Sequence, residues 1–453
     1  MSTVPTIERP PVLPPEPWTF PEPARRTLAN GVGLLVYDIP GQYVVSVRAV
    51  VPFPLSEEPR DVEGVATLMS RLLDEGTAEH SSEEFAELLE RKGIAYGASV
   101  SDNGLGVALD VPKAKLPEAL DLLRQTLAEP VFPQAEVDRH LKTRLAEIEQ
   151  ERALAPQRAG REFLATHYDS GERASRPTAG TPETIRAMTR RDIVGFHRRH
   201  VGPLGATLVV AGDLSGLDIG ALAESTLGAW LPDGQVIAPA PTLARRASDA
   251  ARVVLVDRPG SVQSELVVGW SGPDRRAEGG WAAYPVLSFV VGGSPNARVD
   301  AVLREEKGYT YGIRSGFRPR RVGGLFLTSG SVRADSTVES VALLVGILNG
   351  ARDGFDDAEV RAGIDFMSKT APGRFAVADA VADEAANLAL EGLTTHFTTQ
   401  TLLAMQELDA AALTRAYGRW VTGEWTIVVV GDAATYADGL RAAGVGDVSV
   451  VPA

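Results

Sequence analysis

The 453-residue sequence contains no cysteine, which excludes disulfides, thiolate nucleophiles, zinc ribbons and iron–sulfur clusters together. Histidine is nearly as scarce. His80, His140, His167, His197, His200 and His396 are the only imidazoles available for metal or proton chemistry. Lysine supplies six of the 45 basic residues, an arginine bias that reads as the coding preference of a GC-rich bacterial genome rather than as a site. No apolar run approaches the roughly 18 residues needed to span a bilayer. The opening stretch MSTVPTIERPPVLPPEPWTFPEP has neither a basic n-region nor an apolar h-region, so a cytoplasmic chain without a membrane partner is expected. A formal charge of -14 opposes phosphate-backbone binding and argues against nucleic acid as a partner. With 44% hydrophobic and 23% charged residues, the chain has the composition of a globular protein, and its length exceeds one compact core.

Eight of the 30 prolines fall within the first 23 residues, so residues 1–24 read as an extended arm whose apolar anchors are Trp18 and Phe20. A second pattern-free stretch, residues 231–252, reads as a linker between a first half, 25–230, and a second, 253–453. The halves repeat. Asp38, Pro40 and Gly41 recur as Asp257, Pro259 and Gly260, and Gly212-Asp213 recurs as Gly431-Asp432, in both cases 219 positions later. Each copy opens with a strand, an Asp-x-Pro-Gly turn and another strand, and closes with an amphipathic helix feeding an apolar strand. Helices are expected between them at 83–93, 115–129, about 133–155, 281–292, 297–307, 336–352 and 356–369. The result is an α/β or α+β layered fold with helices covering a sheet in each half, and periodicity leaves parallel and antiparallel pairing open.

Two segments carry chemistry. GVATLMSRLLDEGTAEH (64–80) lies in the first copy and LREEKGYTYG (303–312) in the second. Together with the duplication, residues 25 to 440 resemble the M16B (insulinase/pitrilysin-type) zinc peptidases. In that family the first segment is similar to G-x-A-H-x-x-E-H-x-x-x-x-G-T, the inverted zinc motif, and Gly64, Ala66, Gly76 and Thr77 fit its frame. In this register Thr67 and Arg71 stand where the resemblance implies zinc-binding histidines, and Ser70 where it implies the general-base glutamate. Glu147 falls at the position of the family's third ligand. Two histidines at i and i+4 share a helix face and offer neutral nitrogens to zinc. Threonine is a poor ligand, serine has no proton-accepting carboxylate, and Arg71 brings a permanent cation. No metal is therefore expected in this chain, and Arg71 is expected to pair with Glu147 or Glu151 in its place.

The second segment resembles the L-R-x-x-x-x-G-x-x-Y motif of the family's non-zinc halves and subunits. The resemblance implies that Arg304 and Tyr311 reach a scissile carbonyl held at zinc in a partner. Arg304 is expected in a last helical turn, Gly308 at the helix stop and Tyr311 on the following strand. Guanidinium and phenol are suitable donors to the oxyanion of peptide hydrolysis. A helix-end ion pair for Arg304 and a packed Tyr311 are the plainer alternative.

Other polar groups have ordinary readings. His197 and His200 belong to a helix end, His80 precedes the cap of a helix begun by Ser81 and Ser82, and Gly292-Gly293 breaks two helices. His140 lies on the helix of Glu147 and could face the degenerate motif. Glu83-Glu84, Glu149, Glu151 and Asp356-Asp357 read as solvated helix faces or first turns. The resemblance implies two homologous α+β halves in a non-catalytic subunit of a heterodimer. A homologous subunit would bear the zinc, an unstructured peptide would be the substrate, and Arg304 and Tyr311 would act in trans. A non-proteolytic scaffold of the same shape is the alternative.

Overall fold

The computed structural model describes residues 13–452 apart from Pro15; the remainder of the proline-rich arm lies outside the described residues. Among the described residues, twelve strands form two six-stranded sheets. The first contains β1 (Ala24–Thr27), β2 (Gly33–Asp38), β3 (Val44–Pro52), β4 (Ala95–Ser101), β5 (Gly104–Pro112) and β6 (Thr207–Gly212) in the order β1-β2-β6-β3-β5-β4. The second contains β7 (Arg252–Asp257), β8 (Gln263–Gly272), β9 (Arg314–Pro319), β10 (Gly324–Arg333), β11 (Thr426–Gly431) and β12 (Asp447–Pro452) in the order β12-β7-β11-β8-β10-β9. Pairing is mixed: β2–β6, β7–β11 and β7–β12 are parallel and the other neighbours antiparallel.

The repeat is built into the ladders. Leu34 pairs with Leu208 and Val47 with Val210, and the residues 219 positions on, Val253 with Ile427 and Leu266 with Val429, pair in the same way. The repeated turn closes identically in both copies. Asp38 accepts from the Leu214 amide as Asp257 does from Ala433, both at 3.0 Å. The Gly41 and Gly260 amides donate to Asp213 and Asp432 at 2.9 and 3.1 Å. The copies differ at one edge, where the first sheet ends on the antiparallel β1 and the second on the parallel β12.

The expected helices are present as Ser82–Lys92, Leu116–Ala128, Gln134–Ala153, Ala283–Ser288 running into Phe289–Gly293, Arg298–Glu306, Thr337–Gly350 and Asp357–Arg374. Central strands β3, β6 and β11 are buried along nearly their whole length, because both sheet faces are covered. One face of the first sheet carries Leu34, Val47, Leu208 and Val210 against Leu68, Met69, Leu120 and Phe196 of its own half. Alternate residues, Tyr37, Val50, Val209 and Ala211, face the other way. They pack against Ala378–Leu390, a helix of the second half.

The exchange is reciprocal. Ala155–His167, a helix of the first half, brings Ala159 and Phe163 onto Val254, Val267, Val428 and Val430 of the second sheet. Neither helix is among those that the sequence periodicity predicts. The N-terminal segment adds to the same exchange: Phe20 is buried between Tyr37 and Phe375, and Trp18 stacks on Phe375 at 5.6 Å. Buried Arg48 on β3 bonds Asp383 on the crossing helix at 2.6 Å and Asp110 on β5 at 3.1 Å. Between Trp230 and Arg252 the chain forms no helix or strand, only an isolated bridge from Arg246 to Tyr168.

Candidate functional site: a degenerate zinc motif and an exposed arginine–tyrosine pair

The helix Val65–Arg71 carries Thr67, Ser70 and Arg71. Its start is held by a close backbone crossing: Gly64 sits at φ 99°, where a Cβ would come within 2.8 Å of the Gly180 nitrogen. Below it lies Glu58, a buried carboxylate that accepts from the Gly64 and Ala66 amides at 3.1 and 2.9 Å and satisfies the orphan donors of the first turn. Arg173 neutralises Glu58 at 2.7 Å, and Arg176 does the same for Glu63 at 2.6 Å. Nothing in the motif pointed to these four residues. An acidic residue a few positions ahead of a helix start is the one signal that could have found Glu58.

Thr67 and Arg71, one turn apart, share a face. Thr67 Oγ1 donates to the Thr178 carbonyl at 3.3 Å, and Ser70, itself buried, turns its hydroxyl back onto the Thr67 carbonyl at 2.9 Å. Arg71 Nη1 reaches both oxygens of Glu147, at 3.0 and 2.9 Å. Arg144, on the same helix as Glu147 and almost fully buried, donates to Glu147 at 2.9 Å, to Glu151 at 2.5 and 2.9 Å, and to the Ala179 carbonyl at 3.0 Å. Partial burial opposes ionisation of Glu147, but hydrogen bonds from Arg144 and Arg71 outweigh it and hold the carboxyl below its ordinary value.

These residues do not fit zinc. The Glu147 carboxylate is already shared by two guanidinium groups, and neither Thr67 nor Arg71 on the facing helix is a metal ligand. Among the described residues no cluster of three or more His, Asp or Glu side chains is arranged to hold a metal ion. His140 turns to Glu75, 2.7 Å from its Nε2, instead of Glu147. His80 precedes a helix capped by Ser81 and Glu84. His197 bonds the Leu127 carbonyl at 3.0 Å, and His200 packs against Phe53 and Phe196.

Arg304 lies in the widely wound last turn of Arg298–Glu306, which stops at Gly308 with φ 64°. Tyr311 stands in the loop after it, ahead of β9 rather than on it. The loop is pinned on both sides of Tyr311. Thr310 Oγ1 bonds the Ser331 carbonyl at 2.7 Å, and fully buried Asp300 accepts from the Ile313 amide at 2.9 Å and from Arg314 at 2.6 Å. Tyr311 itself is 96% exposed. The Arg304 side chain is partly exposed, and among the described residues its one ion pair is a 3.4 Å contact with neighbouring Glu305. No hydrogen bond or ion pair joins Arg304 or Tyr311 to the Arg71–Glu147 pair among the described residues.

No helix of the described residues is long and apolar enough to cross a membrane. The family model Insulinase (Peptidase family M16) matches residues 38–182, and the model Peptidase M16 inactive domain matches residues 187–366. An uncharacterized zinc protease of Mycobacterium tuberculosis is 25% identical over 353 residues, covering 76% of this chain and 78% of that protein. A non-peptidase homolog of Helicobacter pylori is 26% identical over 261 residues, or 56% of this chain and 58% of that protein. In fold, the chain is similar to a peptidase M16 inactive domain structure from Pseudomonas fluorescens, with TM-score 0.83, 22% identity and coverage of 91% and 98%. A protease from Helicobacter pylori gives TM-score 0.81 at 17% identity, covering 91% and 100%. With both family models aligned in order on a duplicated two-sheet fold, the chain belongs to the peptidase M16 (insulinase) family.

Proposed function

We propose that this chain is the non-catalytic subunit of a heterodimeric M16B metallopeptidase and assists peptide hydrolysis in a homologous, zinc-bearing partner. The observation that carries this reading is Arg71 bound to Glu147 within the frame of the zinc motif, which leaves the chain without a ligand set or a general base of its own. Arg304 and Tyr311 are the groups it contributes. Tyr311 projects from a loop anchored by Asp300 and Ser331, so its phenol is offered to another molecule at little further cost in ordering. A guanidinium and a phenol donate hydrogen bonds to the oxyanion that forms when water attacks a peptide carbonyl. The partner's zinc would supply the activated water. The substrate is an unstructured peptide enclosed between the two subunits.

The test is reconstitution with an M16 paralogue that has an intact inverted zinc motif. Activity should appear only in the mixture, and Arg304→Ala or Tyr311→Phe should lower kcat by roughly two to three orders of magnitude. Full activity in both variants would remove the trans role. The alternative is a non-proteolytic scaffold, the direction in which the name of the Helicobacter pylori non-peptidase homolog points. Under that reading the mixture stays inactive although the two chains associate.

A further inference from the structure

We propose that the crevice between the two halves, beneath the connecting segment 231–252, binds a small organic anion: a phosphate or carboxylate carried on an apolar body. This goes beyond the peptidase-subunit reading and does not depend on it. The cavity is about 510 Å³, within the range of small-molecule sites, and is walled by both halves and by the connecting segment.

Its charge runs against that of the chain. In a protein of net charge -14, seven lining residues are arginine and three are carboxylates, Asp102, Glu172 and Asp274. Four of the arginines are neutralised: Arg173 by Glu58, Arg176 by Glu63, Arg245 by Glu172 and Arg320 by Asp102. Arg246, Arg276 and Arg321 have no carboxylate within ion-pair distance among the described residues. The nearby Asp274 is taken up by backbone, accepting from the Arg276 amide at 2.7 Å and the Gly323 amide at 3.0 Å. The Arg276 side chain bonds only carbonyls, those of Glu391 at 2.6 Å, Gly392 at 2.9 Å and Arg321 at 3.4 Å, and the Glu391 carboxylate acts on it only from beyond ion-pair distance.

Arg246 shows the same imbalance. Its guanidinium carbon lies 3.6 Å from the Trp270 ring centroid, Nη2 donates to the Glu424 carbonyl at 2.9 Å, and its Nε is buried without an acceptor. The fields of Arg246 and Arg320 overlap at buried His167, where they add to burial in holding the imidazole neutral. Positive charge between low-dielectric walls concentrates potential in the crevice, and the planar fork of arginine matches the oxygens of phosphate and carboxylate. Leu164, Leu243 and Trp420 supply the apolar lining for the rest of the ligand.

Calorimetric titration of the full chain with phenyl phosphate, benzoate and inorganic phosphate tests this. Phenyl phosphate or benzoate should bind one to one and at least about tenfold more tightly than inorganic phosphate, and rising salt should weaken binding. Arg321→Gln and Arg246→Gln should each weaken the tighter probe by about tenfold, as expected for losing a hydrogen bond to a charged group. Arg26→Gln, at a surface pair with Asp218, should leave it unchanged. Thermal melting checks that each variant is folded; Arg321, in the β9–β10 turn, carries the test if Arg246→Gln is not. No binding of either organic anion at millimolar concentration would overturn the proposal, as would equal binding by a folded Arg321→Gln. Binding of inorganic phosphate as tight as that of phenyl phosphate would overturn the claim that an organic body is recognised.

Discussion

A single guanidinium nitrogen of Arg71 bridges both oxygens of Glu147, at 3.0 and 2.9 Å, and ties the helix Val65–Arg71 to Gln134–Ala153. The contact is about one-third exposed on each side, whereas Arg144, which holds Glu147 from behind, is 3% exposed at its side chain.

Exposure ranks the two arginines. Arg71→Ala should cost no more than about 1 kcal/mol, the usual worth of a partly exposed pair. Arg144→Ala strips Glu147, Glu151 and the Ala179 carbonyl of a buried partner and should cost about 3 kcal/mol. Urea unfolding of both variants measures the difference, and equal losses would refute the ranking.

The register of the degenerate motif can be tested directly. The triple variant Thr67→His, Ser70→Glu, Arg71→His should bind zinc stoichiometrically, with Glu147 freed from Arg71 as the third ligand. Metal analysis after dialysis reads the result. A folded variant without zinc would mean that the register is wrong or that Arg144 holds Glu147 too firmly.

Acid should destabilise the fold well above the carboxylate range. Burial lowers the pKa of His167 to about 3, with Arg246 and Arg320 adding to the effect, and lowers His197 and His200 to about 4. The folded state keeps these imidazoles neutral while the unfolded chain takes up protons below about pH 6.5. Their contribution is therefore complete above that pH and is lost as pH falls toward 4, with a slope of up to about 4 kcal/mol per pH unit for three protons. Glu147, whose folded pKa is lowered, adds to the loss below its ordinary value of 4.5. His197→Gln, which keeps a donor for the Leu127 carbonyl, should flatten the slope between pH 6.5 and 4 by about one-third. An unchanged slope in urea titrations across this range would count against the assignment.

The N-terminal segment acts as a packed clasp. Phe20 is 1% exposed between Tyr37 of the first sheet and Phe375 beside the crossing helix, so Phe20→Ala should cost about 3 to 5 kcal/mol. Trp18 is only partly buried, and Trp18→Ala should cost less. Thermal melting of the two variants gives the order.

Much of the architecture was legible because it rests on local chemistry. Asp38 with Gly41, and Gly212 with Asp213, are turn residues whose side chains and amides bond one another, so their recurrence 219 positions on marks the same corner twice. The resemblance to the zinc motif implied that Arg71 and Glu147 meet across 76 positions, because Glu147 falls where the family carries its third ligand, and the two do bond. Tyr311 was expected on a strand and stands in a loop, because Thr310 and Gly312 bond within the turn and delay the start of β9.

The sequence by itself determined the duplication, most of the helices and the absence of histidine from Val65–Arg71. These depend on residue type and spacing along one segment. Only the tertiary structure decided that Ala155–His167 and Ala378–Leu390 each cover the opposite sheet, and that three arginines without an ion-pair partner among the described residues line one crevice. An amphipathic pattern reports that a helix has an apolar face without saying which surface covers it. Here both sheets offer apolar faces, with Tyr37, Val50, Val209 and Ala211 on the first and Val254, Val267, Val428 and Val430 on the second, so the path of the whole chain made the choice.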